Sequence, residues 1–349
     1  MNTGKCSIAA IVAVLATAAA HNHALADKNP SCTESNTLSR RMEFADLQRA
    51  RHLLGHTDAW ARQLSNFDLG VRQKTTALTS LQDFLAFATN AGLGWTDQEE
   101  AGWRPLVDKL SSALEGLNLH VPKIDLVKTT GNEEFGAAYT RVDAIMLPQS
   151  AASVPITSPR RAYFLLAHEL FHVLSRADSR LRDELYALLG FRTLKGFEYP
   201  PELEERRVSN PDAFEYLHVL TVQSSSGSVD VLPVNQSLVP LREAIQLPNF
   251  LAALDIVLLS VDRNTGEARR DRNGNLIKYN FGNTNWVPLM QRNSSFIIHP
   301  EEILADNFAT LMEWRADGIL PPANPGGFPV NDVNLLVAIG DVLGHGCAK

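Results

Sequence analysis

The stretch Tyr163–Ser175, YFLLAHELFHVLS, restricts the folding of this chain more than any other. Its flanks, Leu166, Ala167, Leu170, Phe171, Val173 and Leu174, belong on a buried helix, yet His168, Glu169 and His172 stand among them. Residues four apart lie one turn above each other on one helix face. The two imidazoles can therefore point at one ion, and the neighbouring carboxylate can reach water bound to it. Burying three such groups without partners is expensive. A fold for this chain must bring complementary groups against this face. An HExxH string also arises by chance, on ordinary helices with solvated or core histidines. Here the uncharged flanks favour metal binding.

A catalytic zinc site takes three protein ligands and keeps an open position for water. One candidate for the third is Asp178, six residues after His172. Ser175 stands where a glycine would let the helix turn back, which disfavours it. The other route is a glutamate four residues before an aspartate. Glu267 with Asp271, Glu302 with Asp306 and Glu313 with Asp317 have that spacing. The first pair sits between turn signals. The other two share the last long helix, their glutamates on about one face and about 16 Å apart along its axis. Glu302, near the start of HPEEILADNFATLMEW, is the choice, with Glu301 as the adjacent competitor and Glu313 a weaker one.

HELFH followed by EEILAD resembles the gluzincin type of zinc metallopeptidase, over two short segments that point to a class and to no particular enzyme. The resemblance implies an α+β, zincin-like fold with one Zn2+ per chain on His168, His172 and Glu302. It implies Glu169 as general base toward a zinc-bound water, Asp306 hydrogen-bonded to a ligand histidine, and a peptide or protein substrate. The alternatives are a zinc hydrolase of a non-peptide amide or ester, and a zinc-stabilised binding protein without activity. Such sites also carry a donor for the developing oxyanion. Tyr216, His218, Tyr279 and His299 are candidates, and none is preferred.

The first 26 residues read as a secretory signal: Lys5, the apolar run Ile8 to Ala20, and Ala24-Leu25-Ala26 before a cleavage point at Asp27. The run is too short to span a bilayer. Cys6 leaves with it, and Cys32 and Cys347 can then form a disulfide in an oxidising compartment. An exported protein, periplasmic or secreted, is expected, soluble and without a membrane partner. A net charge of −7 with no basic run speaks against nucleic acid.

Residues 27–118 are expected to form a helical N-terminal region, with a helix over Leu69–Ala91. A second, capped by Thr96 with Glu99 three residues later, runs through Leu117. The catalytic region is 119–349, with an insertion at about 191–298. Lys123–Thr130 and Ala137–Leu147 alternate as two strands of a hairpin, whose edge offers pairing to an extended substrate. Ser158 and Pro159 open the HExxH helix, which runs to about Ala177. Glu198–Pro240 reads as loops over the cleft, Ala252–Asp262 as a strand, and Glu301–Ala316 as the last long helix, opened by Pro300. Asn235 and Asn293 fit glycosylation sequons.

Overall fold

A computed structural model describes residues 37–248, 250–319 and 330–345. The expected signal at 1–26 and the pair Cys32 and Cys347 lie outside these residues.

The first sheet grows from two strands that are buried throughout. Ile124–Thr129 (IDLVKT) and Ala144–Pro148 (AIMLP) have no exposed residue. Burial on both faces suits a parallel pair, and Asp125–Thr129 runs parallel to Ala144–Pro148. Numbered in chain order, the strands are β1 (Met42–Phe44), β2 (Gly92–Leu93), β3 (Ile124–Thr129), β4 (Tyr139–Arg141) and β5 (Ala144–Pro148). The order is β1-β3-β5-β4, with β2 antiparallel on β3 and β4 antiparallel on β5. The expected hairpin is thus corrected. Gly131, at φ 82°, leads into a short helical turn at Asn132–Glu134. The paired hairpin turn is at Val142-Asp143, between β4 and β5, and β3 pairs with β5 instead of β4. Because β1 and β2 come from before residue 118 and pair with β3, the line expected at 118/119 runs through one sheet and separates no folding units.

The helix expected over Leu69–Ala91 is two helices, Asn66–Arg72 and Leu81–Ala91. Each opens with its own capping box, Ser65 with Asp68 and Ser80 with Asp83, and a cap at Ser80 interrupts any longer run. Leu78, between them, is exposed. The Thr96–Glu99 box is present, and its helix, Asp97–Ala113, stops short of Leu117. Ser158 makes no side-chain cap, since Val154–Thr157 is already helical before it.

The second sheet replaces the later part of the loops expected at 198–240, and 205–217 stays irregular. Strands β6 (Arg192–Thr193), β7 (His218–Ser224), β8 (Gly227–Ser237), β9 (Leu254–Ser260) and β10 (Lys278–Tyr279) pair antiparallel in the order β10-β9-β8-β7-β6. Ser225-Ser226 is the tip of the β7–β8 hairpin, closed by the pair Ser224 and Gly227. Pro233, a poor central-strand residue, still sits within β8 opposite Leu258. Neither sequon is on a free loop: Asn235 is inside β8, and the Asn293 amide donates to Asn307 and to the Asp332 carbonyl.

Two long helices meet antiparallel on the first sheet's side of the core: Pro159–Ala177 and Pro300–Ala316. Their register can be read along the pair. Arg160 Nε meets Glu313 Oε1 at 3.1 Å, and the Tyr163 hydroxyl donates to the Met312 carbonyl. His168 meets Asp306, and Ser175 donates to Glu301. Among the described residues no helix is long and apolar enough to cross a membrane.

A buried ionic cluster joins the N-terminal helices to the segment at 209. Arg72, without exposed side chain, pairs with Asp68 at 2.7 Å and Glu134 at 2.6 Å, and donates to the Ser209 carbonyl at 2.9 Å. Its guanidinium lies over Trp60 and Phe135. Removing one partner leaves the other charges buried and unpaired. Arg72→Ala is therefore expected to lose about 3–5 kcal/mol in denaturant unfolding. A loss below about 1 kcal/mol would show that the cluster does little for stability.

Candidate metal centre

The HExxH helix supplies His168 and Glu169 to a cleft, with His172 buried one turn further along. Leu166, Leu170 and Val173 are buried in the core, which turns His168, Glu169 and His172 toward the start of the helix Pro300–Ala316. That helix begins at Pro300 in its first turn, and His299 Nδ1 accepts the Glu301 N–H as its cap. The antiparallel register then sets Glu302 between the two imidazoles. His168 Nε2 is 3.3 Å and His172 Nε2 3.7 Å from Glu302 Oε2.

The outer nitrogens are held from behind. His168 Nδ1 is 3.0 Å from Asp306 Oδ1, and Ser294 donates to the other Asp306 oxygen at 2.5 Å. His172 Nδ1 is 3.0 Å from Glu301 Oε1; Ser175 and Tyr186 donate to that carboxylate as well. A carboxylate only accepts when ionised, so the protons are assigned to Nδ1 on both rings. With the imidazoles neutral, that leaves two Nε2 lone pairs and a carboxylate oxygen facing one another. Three acceptors in that position repel unless protons or a metal ion stand among them.

The spacing suits zinc. Ligand atoms arranged tetrahedrally at about 2.0–2.2 Å from the ion stand about 3.3–3.6 Å apart, close to the two Nε2–Oε2 distances above. Asn210 Nδ2 donates to Glu302 Oε1 at 2.6 Å, so only Oε2 turns to the imidazoles. Glu169, 3% exposed, has an Oε2 without hydrogen-bond partner. Its carboxylate, His172 Nε2 and Asp212 form a second close group beside the first, each set lying within 4.8 Å.

Electrostatics follow from this crowding. Burial opposes charge on all these groups. At His168 it is overcome by Asp306 and Glu302, which raise the imidazole pKa well above its usual value. At His172 the Asp212 and Glu302 carboxylates raise it to about 9 against burial. Glu302, despite its burial, is held down to about 2 by His172 and His168. Glu169 goes the other way, pushed up to about 8 by burial and then by Asp212. Burial also raises Asp212. Carboxylates and imidazoles competing for protons in one small space have the character of a cation site.

The other sequence candidates lie elsewhere. Glu313 pairs with Arg160 at the far end of the helix pair. Glu301 lies behind His172 and does not face the Nε2 atoms. Asp178 caps the next helix, accepting the Arg180 and Leu181 N–H groups, and Asp271 holds a turn through the Asn273 and Asn275 N–H groups. None of the four oxyanion candidates lines the cleft. Tyr216 packs on Tyr199, His218 meets Asp183 at 2.8 Å, Tyr279 reaches Ser226, and His299 is a helix cap. Asn210 and Asp212 were not among the expected site residues. They sit on the Ser209–Asp212 segment, where Asn-Pro marks a turn but no periodicity points to a site.

Comparison of the chain with protein-family models, curated proteins and solved structures finds no match.

Proposed function

We propose that this chain is a zinc-dependent hydrolase of peptide bonds with a zincin-like fold. The observation that carries the reading is the convergence of His168 Nε2, His172 Nε2 and Glu302 Oε2, each held from behind, beside a buried carboxylate with a free oxygen. An α+β core with an antiparallel edge strand, β4, against the HExxH helix supports the fold. His168, His172 and Glu302 would hold the ion. When bound, zinc polarises a carbonyl and lowers the pKa of water to about 7. Glu169 has the place of the general base: it takes the proton from the attacking water and delivers it to the leaving amine. Asp306 and Glu301 keep both imidazoles in the tautomer that presents Nε2, and Asn210 steadies Glu302. Phe164, Leu165 and Phe296 line the cleft and limit water around the reacting bond. Export, with cleavage before Asp27 and a Cys32–Cys347 disulfide, belongs to the same proposal.

An orphaned carboxylate oxygen has no purpose in a purely structural zinc site, which counts against the binding-protein reading. The short cleft described below favours a small amide or ester as the second reading. The test is metal analysis joined to hydrolysis. The purified protein should hold about one zinc per chain, cleave peptides, lose activity to a chelator and regain it with zinc. Zinc bound without cleavage of peptides, small amides or esters would return the binding protein. A chain that binds no zinc would end the proposal.

A further inference from the structure

The cleft has one closed end, and a carboxylate stands there. Thr140, in the edge strand β4, donates its backbone N–H to Asp212 Oδ1 at 2.7 Å and its hydroxyl to the same oxygen at 2.5 Å. The outward hydrogen-bonding position of the strand is therefore taken by the protein itself. Arg176 lies seven residues beyond Glu169, about 10 Å further along the helix. It donates to the Val142 carbonyl, Thr140 Oγ1 and the Pro211 carbonyl, at 2.9, 2.8 and 3.2 Å. Helix, edge strand and the Ser209–Asp212 segment are thus bonded together just past the candidate centre. Behind Asp212 there is a void of only about 20 Å3.

In the other direction the cleft is open. Its space of about 390 Å3 follows the helix face backward from His168 over Leu165 and Phe164 to Arg161. Arg161, Leu251 and Phe296 are exposed at its mouth. An extended chain needs about 3.3 Å for each residue, so a substrate can extend over several residues on one side of the centre and hardly at all on the other.

From this we infer that the substrate presents a free amino end, whose α-ammonium group is received by Asp212. The inference rests on the proposed hydrolase reading. Glu169, Asp212 and Glu302 bring three negative charges to the centre, and the imidazoles are neutral when Nε2 is a ligand. With Glu301 and Asp306 behind the imidazoles, the carboxylates outnumber the charges of one divalent ion and Arg176, and the negative excess favours an ammonium group and repels a substrate carboxylate. Thr140 donates to Asp212 Oδ1, and Arg176 approaches the same oxygen at 3.9 Å. Among the described residues Oδ2 accepts no hydrogen bond and remains for the ligand. The buried Glu169 carboxylate, whose Oε2 has no partner, lies in the same group. In this role Asp212 is a specificity residue, and the stretch Ala137-Ala138 just before β4 is left to pair with substrate.

The test compares aminoacyl fluorogenic amides with their N-acetyl forms, and in parallel the calorimetric binding of leucine hydroxamate and N-acetyl-leucine hydroxamate to the zinc-loaded protein. Free-amine forms should be favoured by about 10–100-fold in kcat/KM and in affinity, the range of a hydrogen bond to a charged group. Asp212→Asn, which retains an acceptor for Thr140, should bring both ratios close to one while zinc affinity, measured by chelator competition, stays within a few-fold. Equal handling of acetylated forms, ready cleavage inside a peptide blocked at both ends, or a ratio unchanged in Asp212→Asn would overturn the inference. If no substrate is cleaved, the hydrolase reading falls, and the hydroxamate pair still decides the amine site: equal binding rejects it.

Discussion

Glu169→Gln is expected to keep about one zinc per chain and to lose hydrolysis by about 10²–10⁴-fold in kcat, the range for removing a general base. The two halves of the expectation come from different geometry. Zinc is retained because the converging donors are on His168, His172 and Glu302, and the bonds that orient them end on Asp306, Glu301 and Asn210. Hydrolysis is lost because an amide cannot accept the proton that a carboxylate accepts. Zinc content by metal analysis and single-turnover cleavage on one preparation measure both. Loss of zinc in Glu169→Gln would make Glu169 a ligand and displace it as the base. Undiminished cleavage would require another base.

Glu302→Ala is expected to lose zinc affinity by several orders of magnitude, because it removes one donor of three and leaves Asn210 without its partner. Asn210→Ala, which removes the bond that orients Glu302 and the acceptor of the Asp212 N–H, should weaken affinity by about 10–100-fold. Glu313→Ala breaks a pair with the exposed Arg160 and should change stability by less than about 1 kcal/mol, with zinc unaltered. Chelator competition across the three variants gives the order. Full zinc retention by Glu302→Ala would sink the assignment of this ligand. Uptake should also depend on pH with a definite sign. The imidazole of His172, raised to about 9, has to lose its proton for Nε2 to bind, so zinc displaces protons at neutral pH and its apparent affinity falls as the pH drops below about 9. Calorimetry in buffers of different ionisation enthalpy should record that release; zinc uptake without it would contradict the site.

Much of the candidate site was legible because its parts are local. The spacing of His168 and His172, the apolar positions around them, Pro300 at a helix start and the step from Glu302 to Asp306 are all statements about which residues share a helix face. Sequence spacing also carried the Thr96–Glu99 cap and the presence of strands at β3 and β5. It misjudged their burial and pairing, since alternation would leave one face to solvent, whereas both strands are buried throughout and β3 pairs with β5. It missed the hairpin of β7 and β8, whose serine-rich tip and Pro233 resemble loop composition.

The choice among Glu301, Glu302 and Glu313 shows where local information ends. All three stand on one helix; an aspartate four residues on separates Glu302 and Glu313 from Glu301, but spacing does not say which of them faces the histidines. The antiparallel register against the HExxH helix does so, by placing Arg160 beside Glu313 and Ser175 beside Glu301, which leaves Glu302 facing both imidazoles. Asn210 and Asp212 lie further still from sequence logic, on an irregular segment pinned by Arg72 on one side and by Thr140 and Arg176 on the other. The sequence by itself determined the two helices and the chemistry each carries, because helical periodicity is a property of neighbours in the chain. Only the tertiary structure decided which glutamate meets the histidines, what holds their outer nitrogens and where the cleft ends, because each of those depends on contacts between residues that no local period connects.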